Sequence, residues 1–189
     1  MQPCSTTYGF SPNFYSNYSV ELNHPVDQVF ETFNLDHERV CRISALCSDF
    51  ELLELDFLPV PNSTPVSQMS FRSLQKSQTS AAPAESTRLA SRQSFKMTES
   101  VPLLLGLTKK VYLSGTITVD GMQKVTLYES ISDGGIQTWK LRQFKEIDEN
   151  KARITETIYG QCPALLRPIV QKEARRAHWY VGSSYLFVY

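Results

Sequence analysis

A chain of 189 residues, 41% hydrophobic and 20% charged, has globular composition and is long enough to bury a substantial core. Nineteen Lys and Arg offset nineteen Asp and Glu. The basic excess of a nucleic-acid binder is therefore missing. The tightest basic cluster, Arg175-Arg176 with Lys172 and Arg167, reads as the wet face of a helix. No stretch approaches the roughly 18 apolar residues of a membrane span. Residues 1–19, rich in Tyr, Ser and Asn, lack the basic start and apolar run of a signal peptide. Cys4, Cys41, Cys47 and Cys162 are scattered, without CxxC or metal-ligand spacing. These features predict a cytoplasmic protein with reduced thiols and no metal.

In chain order, residues 1–15 read as an irregular N-terminal extension and 16–189 as one domain. Tyr18 to Asn23 alternates as a short strand. Pro25 suits a first helical turn, and Val26, Val29, Phe30 and Phe33 follow at helical spacing. A second short helix is expected from Asp36, its N-cap, to about Leu46, with Val40, Ile43 and Leu46 apolar. Phe50 to Leu58 reads as a strand and Val66 to Leu74 as another, with a Pro-rich turn between. Lys76 to Ser86 is polar and reads as a loop or lid. Five strands follow: Arg88 to Glu99, Lys109 to Val119, Met122 to Ile131, Ile136 to Ile147 and Lys151 to Tyr159. Asp120-Gly121, Asp133-Gly134-Gly135 and Asp148-Glu149-Asn150 supply hairpin turns, so the sheet is an antiparallel meander.

Pro163 then opens a long helix to about Val188. On a helical wheel Leu166, Val170, Ala174, Ala177, Val181 and Val188 fall within roughly 80°, and Lys172, Arg175 and Arg176 lie opposite. The fold class is α+β: a helix covering one face of an antiparallel sheet.

This order, with the segment YSVELNHPVDQVFETF at 18–33, resembles the START/Bet v 1-like superfamily of polyketide cyclases and lipid-transfer domains. The tail from Lys140 onward is similar to small fungal members of that group. The resemblance spans residues 18 to 188. It implies a helix-grip fold, in which a curved sheet wraps around the last helix and leaves an apolar cavity. Members bind sterols, lipids, hormones or polyketides, and some catalyse cyclisation, dehydration or condensation. No catalytic signature is common to the group, so none is carried over. The sequence departs from simpler members in the 76–86 loop and in an apolar insertion, Val101-Pro102-Leu103-Leu104-Leu105-Gly106, which suits a cavity mouth or an edge contact.

Strand alternation supplies the candidate site residues. Val125, Leu127 and Ile131 place Glu129 on the face expected to meet the helix, and Ala152, Ile154 and Ile158 place Glu156 there. Trp139 and Leu141 do the same for Gln143. An inward carboxylate on an apolar wall has a raised pKa unless paired, which suits proton transfer near neutral pH. On the last helix Glu173, His178, Tyr180 and Tyr185 flank the apolar arc, with Ala177 and Val181 inside it. The expected catalytic set is Glu129, Glu156 and His178. Trp139, Gln143, Glu173, Ala177, Val181 and Tyr185 are expected to bind substrate. Trp179 points away from the sheet, which suits a homodimer contact or equally a helix end folded under the N-terminal segment. His24 and His37, at helix starts, read as caps or solvent-exposed groups.

These residues support a cofactor-independent cyclase or isomerase of secondary metabolism acting on a hydrophobic polyketide- or terpenoid-like substrate. The alternative is a non-catalytic module that binds or transfers a lipid-like ligand. A third reading is an interaction domain using Trp179 and the basic helix face.

Overall fold

The computed structural model describes residues 9–42, 46–71, 86–102 and 107–185, with the backbone alone for Pro102 and for 177–185. Seven strands form one curved antiparallel sheet: β1 Phe14–Leu22, β2 Cys47–Pro61, β3 Thr87–Pro102, β4 Thr108–Asp120, β5 Val125–Ser132, β6 Gln137–Asp148 and β7 Lys151–Gln161. Their order is β1-β7-β6-β5-β4-β3-β2, a meander with β1 added beside β7. Three helices accompany it: α1 Val26–Leu35, α2 His37–Arg42 and α3 Arg167–Tyr185, the last entered by a 3-10 turn at Ala164–Leu166.

The expected elements differ mainly at their ends. β1 starts at Phe14, inside the span read as an extension, and Phe10 joins a buried cluster. Of the strand expected over Val66 to Leu74, the described part, residues 66–71, is not a strand. Val66–Gln68 is a 3-10 turn after Pro65, and the chain from there to Phe71 lies across the sheet. Residues 72–85, 103–106 and 43–45 lie outside the described residues, and with them most of the predicted 76–86 loop, the apolar insertion and the end of the second helix. α2 starts as read: the Asp36 carboxylate accepts the Arg39 backbone N–H at 2.8 Å.

A core forms on each face of the sheet. On the inner face, α1 sets Val29, Phe30 and Phe33 against Phe144, Ala152 and Ile154. α3 lays Val170 and Ala174 over Phe14, Ile158 and Cys162. Gly160 makes the latter packing possible, because a Cβ there would overlap the Phe14 ring paired across from it. The Gln171 side chain donates to Tyr15 O at 2.8 Å and accepts from Tyr15 N at 3.3 Å. This pins α3 to the backbone of β1.

On the outer face, Phe10, Val66 and Phe71 pack over Leu58, Ala90, Val125, Leu127, Trp139 and Leu141. Two buried arginines tie the 61–71 segment down. Arg88 pairs with Asp120 at 2.6 Å and donates to the carbonyls of Pro61 and Thr64 at 2.6 and 2.8 Å. Arg92 pairs with Asp56 at 2.6 Å and donates to the Phe71 carbonyl.

A bulge lets β2 serve both cores. Across Leu52/Leu55 its register against β3 slips by one residue. Because side chains alternate with period two, the slip exchanges faces. Phe50 thus packs with Phe95 and Ile117 on one side, and Leu58 and Val60 enter the cluster on the other.

Candidate functional site

Between α3, α2 and the inner face lies a cavity of about 280 Å³. Its apolar wall comes from Leu166, Ile169, Val170 and Ala174 of the C-terminal helical segment, Val40 and Cys41 of α2, and Phe95, Met97, Val111, Leu113 and Ile158 of the strands. Over residues 167–176 α3 turns Val170 and Ala174 inward, and Ala174 withholds the bulk that would close the space. Lys172, Arg175 and Arg176 are exposed.

Polar side chains also line this space, and β5 and β6 carry most of them. Arg142 lies opposite Glu156 in the β6–β7 ladder. Its Nε and Nη2 donate to one carboxylate oxygen at 3.1 and 2.7 Å. Both side chains are almost fully buried, at 1% and 2% exposure. A charge-assisted pair at these distances holds the carboxylate ionised and fixes the guanidinium over the Phe33 and Tyr128 rings. Tyr128 lines the cavity, and burial pushes its phenol pKa up, so it holds its proton at any physiological pH. Glu99 faces the cavity near Lys140 and Glu173. Burial raises its pKa, Lys140 opposes that shift, and the like charge of Glu173 adds to it. Glu173 itself is mostly buried and lies 3.9 Å from Arg176. Cys41 also lines the space, but burial pushes its thiol up to about 11, which removes it as a nucleophile.

Of the predicted residues, Glu156 and Glu173 reach the cavity. Glu129, Trp139 and Gln143 do not. They occupy the opposite face of β5 and β6, and the cavity sees their neighbours Tyr128, Ser130, Thr138, Lys140 and Arg142 instead. Glu129 accepts the Phe71 backbone N–H at 2.7 Å and the Ser70 hydroxyl. Trp139 lies under the same segment, its indole N–H 3.4 Å from the Met69 carbonyl. The apolar set Val125, Leu127 and Leu141 belongs to the outer core and not to the helix-facing side. Positions 177, 178, 179, 181 and 185 fall on the α3 backbone. The side chains of Ala177, His178, Trp179, Val181 and Tyr185 lie outside the described residues. His37 differs from its expectation: its Nδ1 is buried, and burial followed by the nearby Arg142 lowers its pKa.

Arg142, Tyr128, Lys140 and Glu99 were missed. Hairpin arithmetic would have found the first. Arg142 and Glu156 are both seven residues from Glu149 in the β6–β7 turn, so an inward Glu156 requires an inward Arg142.

No protein-family model matches the sequence, and no curated protein matches it significantly. Solved structures do match. The Zhui aromatase/cyclase from Streptomyces sp. R1128 superposes with a TM-score of 0.59 at 12% identity, over 89% of this chain and 88% of that one. A START superfamily protein from Mycobacterium smegmatis gives 0.53 at 7% identity, over 89% and 92%. Norcoclaurine synthase from Thalictrum flavum gives 0.52 at 11%, over 92% and 86%. The fold is START/Bet v 1-like. At these identities the likeness establishes the fold alone. The START/Bet v 1-like arrangement accounts for the cavity between the last helix and the sheet, while its polar groups are this chain's own. Among the described residues no cluster of His, Cys, Asp and Glu has metal-binding geometry, and no helix is long and apolar enough to cross a membrane.

Proposed function

We propose that this chain is a cofactor-independent cyclase or isomerase of secondary metabolism. Its substrate would be a hydrophobic polyketide- or terpenoid-like molecule held between α3 and the inner face. The observation that supports this best is Glu99, a carboxyl group with a raised pKa on the wall of a mostly apolar cavity. Such a group exchanges protons with a bound carbon acid or enol more readily at neutral pH than a solvated carboxylate does. Tyr128 and the Arg142–Glu156 pair form the polar wall against which a developing enolate is stabilised. His178 is a second proposed proton carrier. Glu129 drops out of the set. The aromatase/cyclase and the synthase among the structural neighbours support the use of this scaffold for cyclisation and condensation. The competing reading, a carrier of lipid-like ligands without catalysis, draws on Glu156 being locked to Arg142.

Deuterium uptake at the α-carbon of α-tetralone, a bicyclic aryl ketone sized for the cavity, separates the two when followed by proton NMR. The protein accelerates uptake, and Glu99→Gln reduces that acceleration by about 100-fold. Glu99 acts here as carboxylate. The rate therefore rises with pH and levels off above a midpoint higher than the ordinary 4.5. Binding of the ketone without accelerated exchange would favour the carrier.

A further inference from the structure

Six charged residues line the cavity: Lys109, Lys140, Arg142, Glu99, Glu156 and Glu173. Arg142 and Glu156 neutralise each other. Lys140 has no such carboxylate within ion-pair distance among the described residues. It lines the cavity from the position directly opposite Tyr128 in the β5–β6 ladder, its Nζ 4.4 Å from the centre of that ring. Glu99, also on the cavity wall, feels the Lys140 charge without forming an ion pair with it. Tyr128 is 6% exposed, and its buried hydroxyl has no hydrogen-bond partner of good geometry among the described residues. A buried donor without an acceptor is costly and marks a place where a ligand atom fits. The guanidinium of Arg142, already paired with Glu156, lies 5.6 Å from the same ring centre. A phenol without an acceptor and an ammonium without an ion-pair partner among the described residues thus meet on one part of the cavity wall.

We infer that this corner of the cavity binds the acidic oxygen of an otherwise apolar ligand, with Lys140 supplying the charge and the Tyr128 hydroxyl donating the hydrogen bond. Carboxylates and the enolates or phenolates of conjugated ketones share that chemistry. The inference rests on the cavity being the functional site and adds the polarity of what enters it. A long-chain hydrocarbon or a sterol with a neutral hydroxyl would leave Lys140 unneutralised.

Calorimetric titration with naphthoate and with naphthamide, the same ring system with and without the charge, tests it. Naphthoate should bind at least about ten-fold more tightly, the value of one charge-assisted hydrogen bond in a site shielded from water. Lys140→Met should bring the two affinities together without weakening naphthamide, and Lys140→Arg should restore the preference. Tyr128→Phe should reduce the preference several-fold on its own. Equal affinities in the unmodified protein, or a preference that survives Lys140→Met, would overturn the inference while leaving the cavity as the site. Failure of both ligands to bind would overturn the inference together with the reading on which it rests.

Discussion

Glu156→Gln should destabilise the protein by about 3–5 kcal/mol, because it leaves the Arg142 guanidinium buried without its counter-charge. The substitution preserves shape, so the loss is electrostatic: Arg142 and Glu156 are 1% and 2% exposed and share two hydrogen bonds. For a domain of 189 residues this corresponds to a fall in Tm of roughly 6–20 °C. Urea denaturation of the single variant and of the double variant Arg142→Met with Glu156→Met resolves the cause. Replacing both partners by apolar groups of similar size removes the buried charges altogether, and most of the stability returns. A double variant as unstable as the single one would mean that the pair matters by its packing instead.

Phe71→Ala should cost about as much, 3–5 kcal/mol, for a different reason. The ring is 0% exposed and sits in the outer core with Val66, Leu127 and Trp139. Its backbone is held at both ends, the N–H by Glu129 and the carbonyl by Arg92. Deleting the ring opens a cavity beneath the 61–71 segment. The ligand space lies on the other side of the sheet, so naphthamide binding at a temperature where the variant is folded should not change. Glu129→Gln should behave alike on a smaller scale, losing about 1–3 kcal/mol as a charged acceptor becomes a neutral one, again with unchanged binding. A large loss of affinity in either variant would return Glu129 to the ligand site.

The sheet, the capped second helix and the amphipathic last helix were legible because each carries a local signal: hairpin residues, the Asp36 cap, an apolar arc at helical period. The face on which the site lies was not. Period-two alternation separates two sets of side chains but does not say which set meets the helix, and here both sets are buried. On β5 five successive residues, Val125 to Glu129, are buried, so the apolar members and the polar ones each face a core. The larger apolar set on β5 and β6 belongs to the outer core, whereas on β7 the apolar set Ala152, Ile154 and Ile158 faces the helices. Glu156 was therefore placed on the correct face, and Glu129, Trp139 and Gln143 were not. The conflict was already present in the sequence: Gln143 pairs with Thr155 and Arg142 with Glu156, so Gln143 and Glu156 cannot share a face. The strap that makes the outer face a core gives no advance signal, since Val66 to Leu74 has the composition of a strand. Its anchors, Arg88, Arg92 and Glu129, come from distant positions in the chain.

The central claim is that the space beneath Val170 and Ala174 is where a hydrophobic ligand sits. Ala174→Phe addresses it most directly, because the added ring would occupy that space while Val170 keeps its packing against Phe14 and Ile158. In a fluorescence titration with phenylnaphthylamine, an uncharged apolar probe, the unmodified protein should bind and Ala174→Phe should bind at least about ten-fold more weakly at undiminished Tm. Equal binding by the two proteins would place the ligand elsewhere and contradict the account.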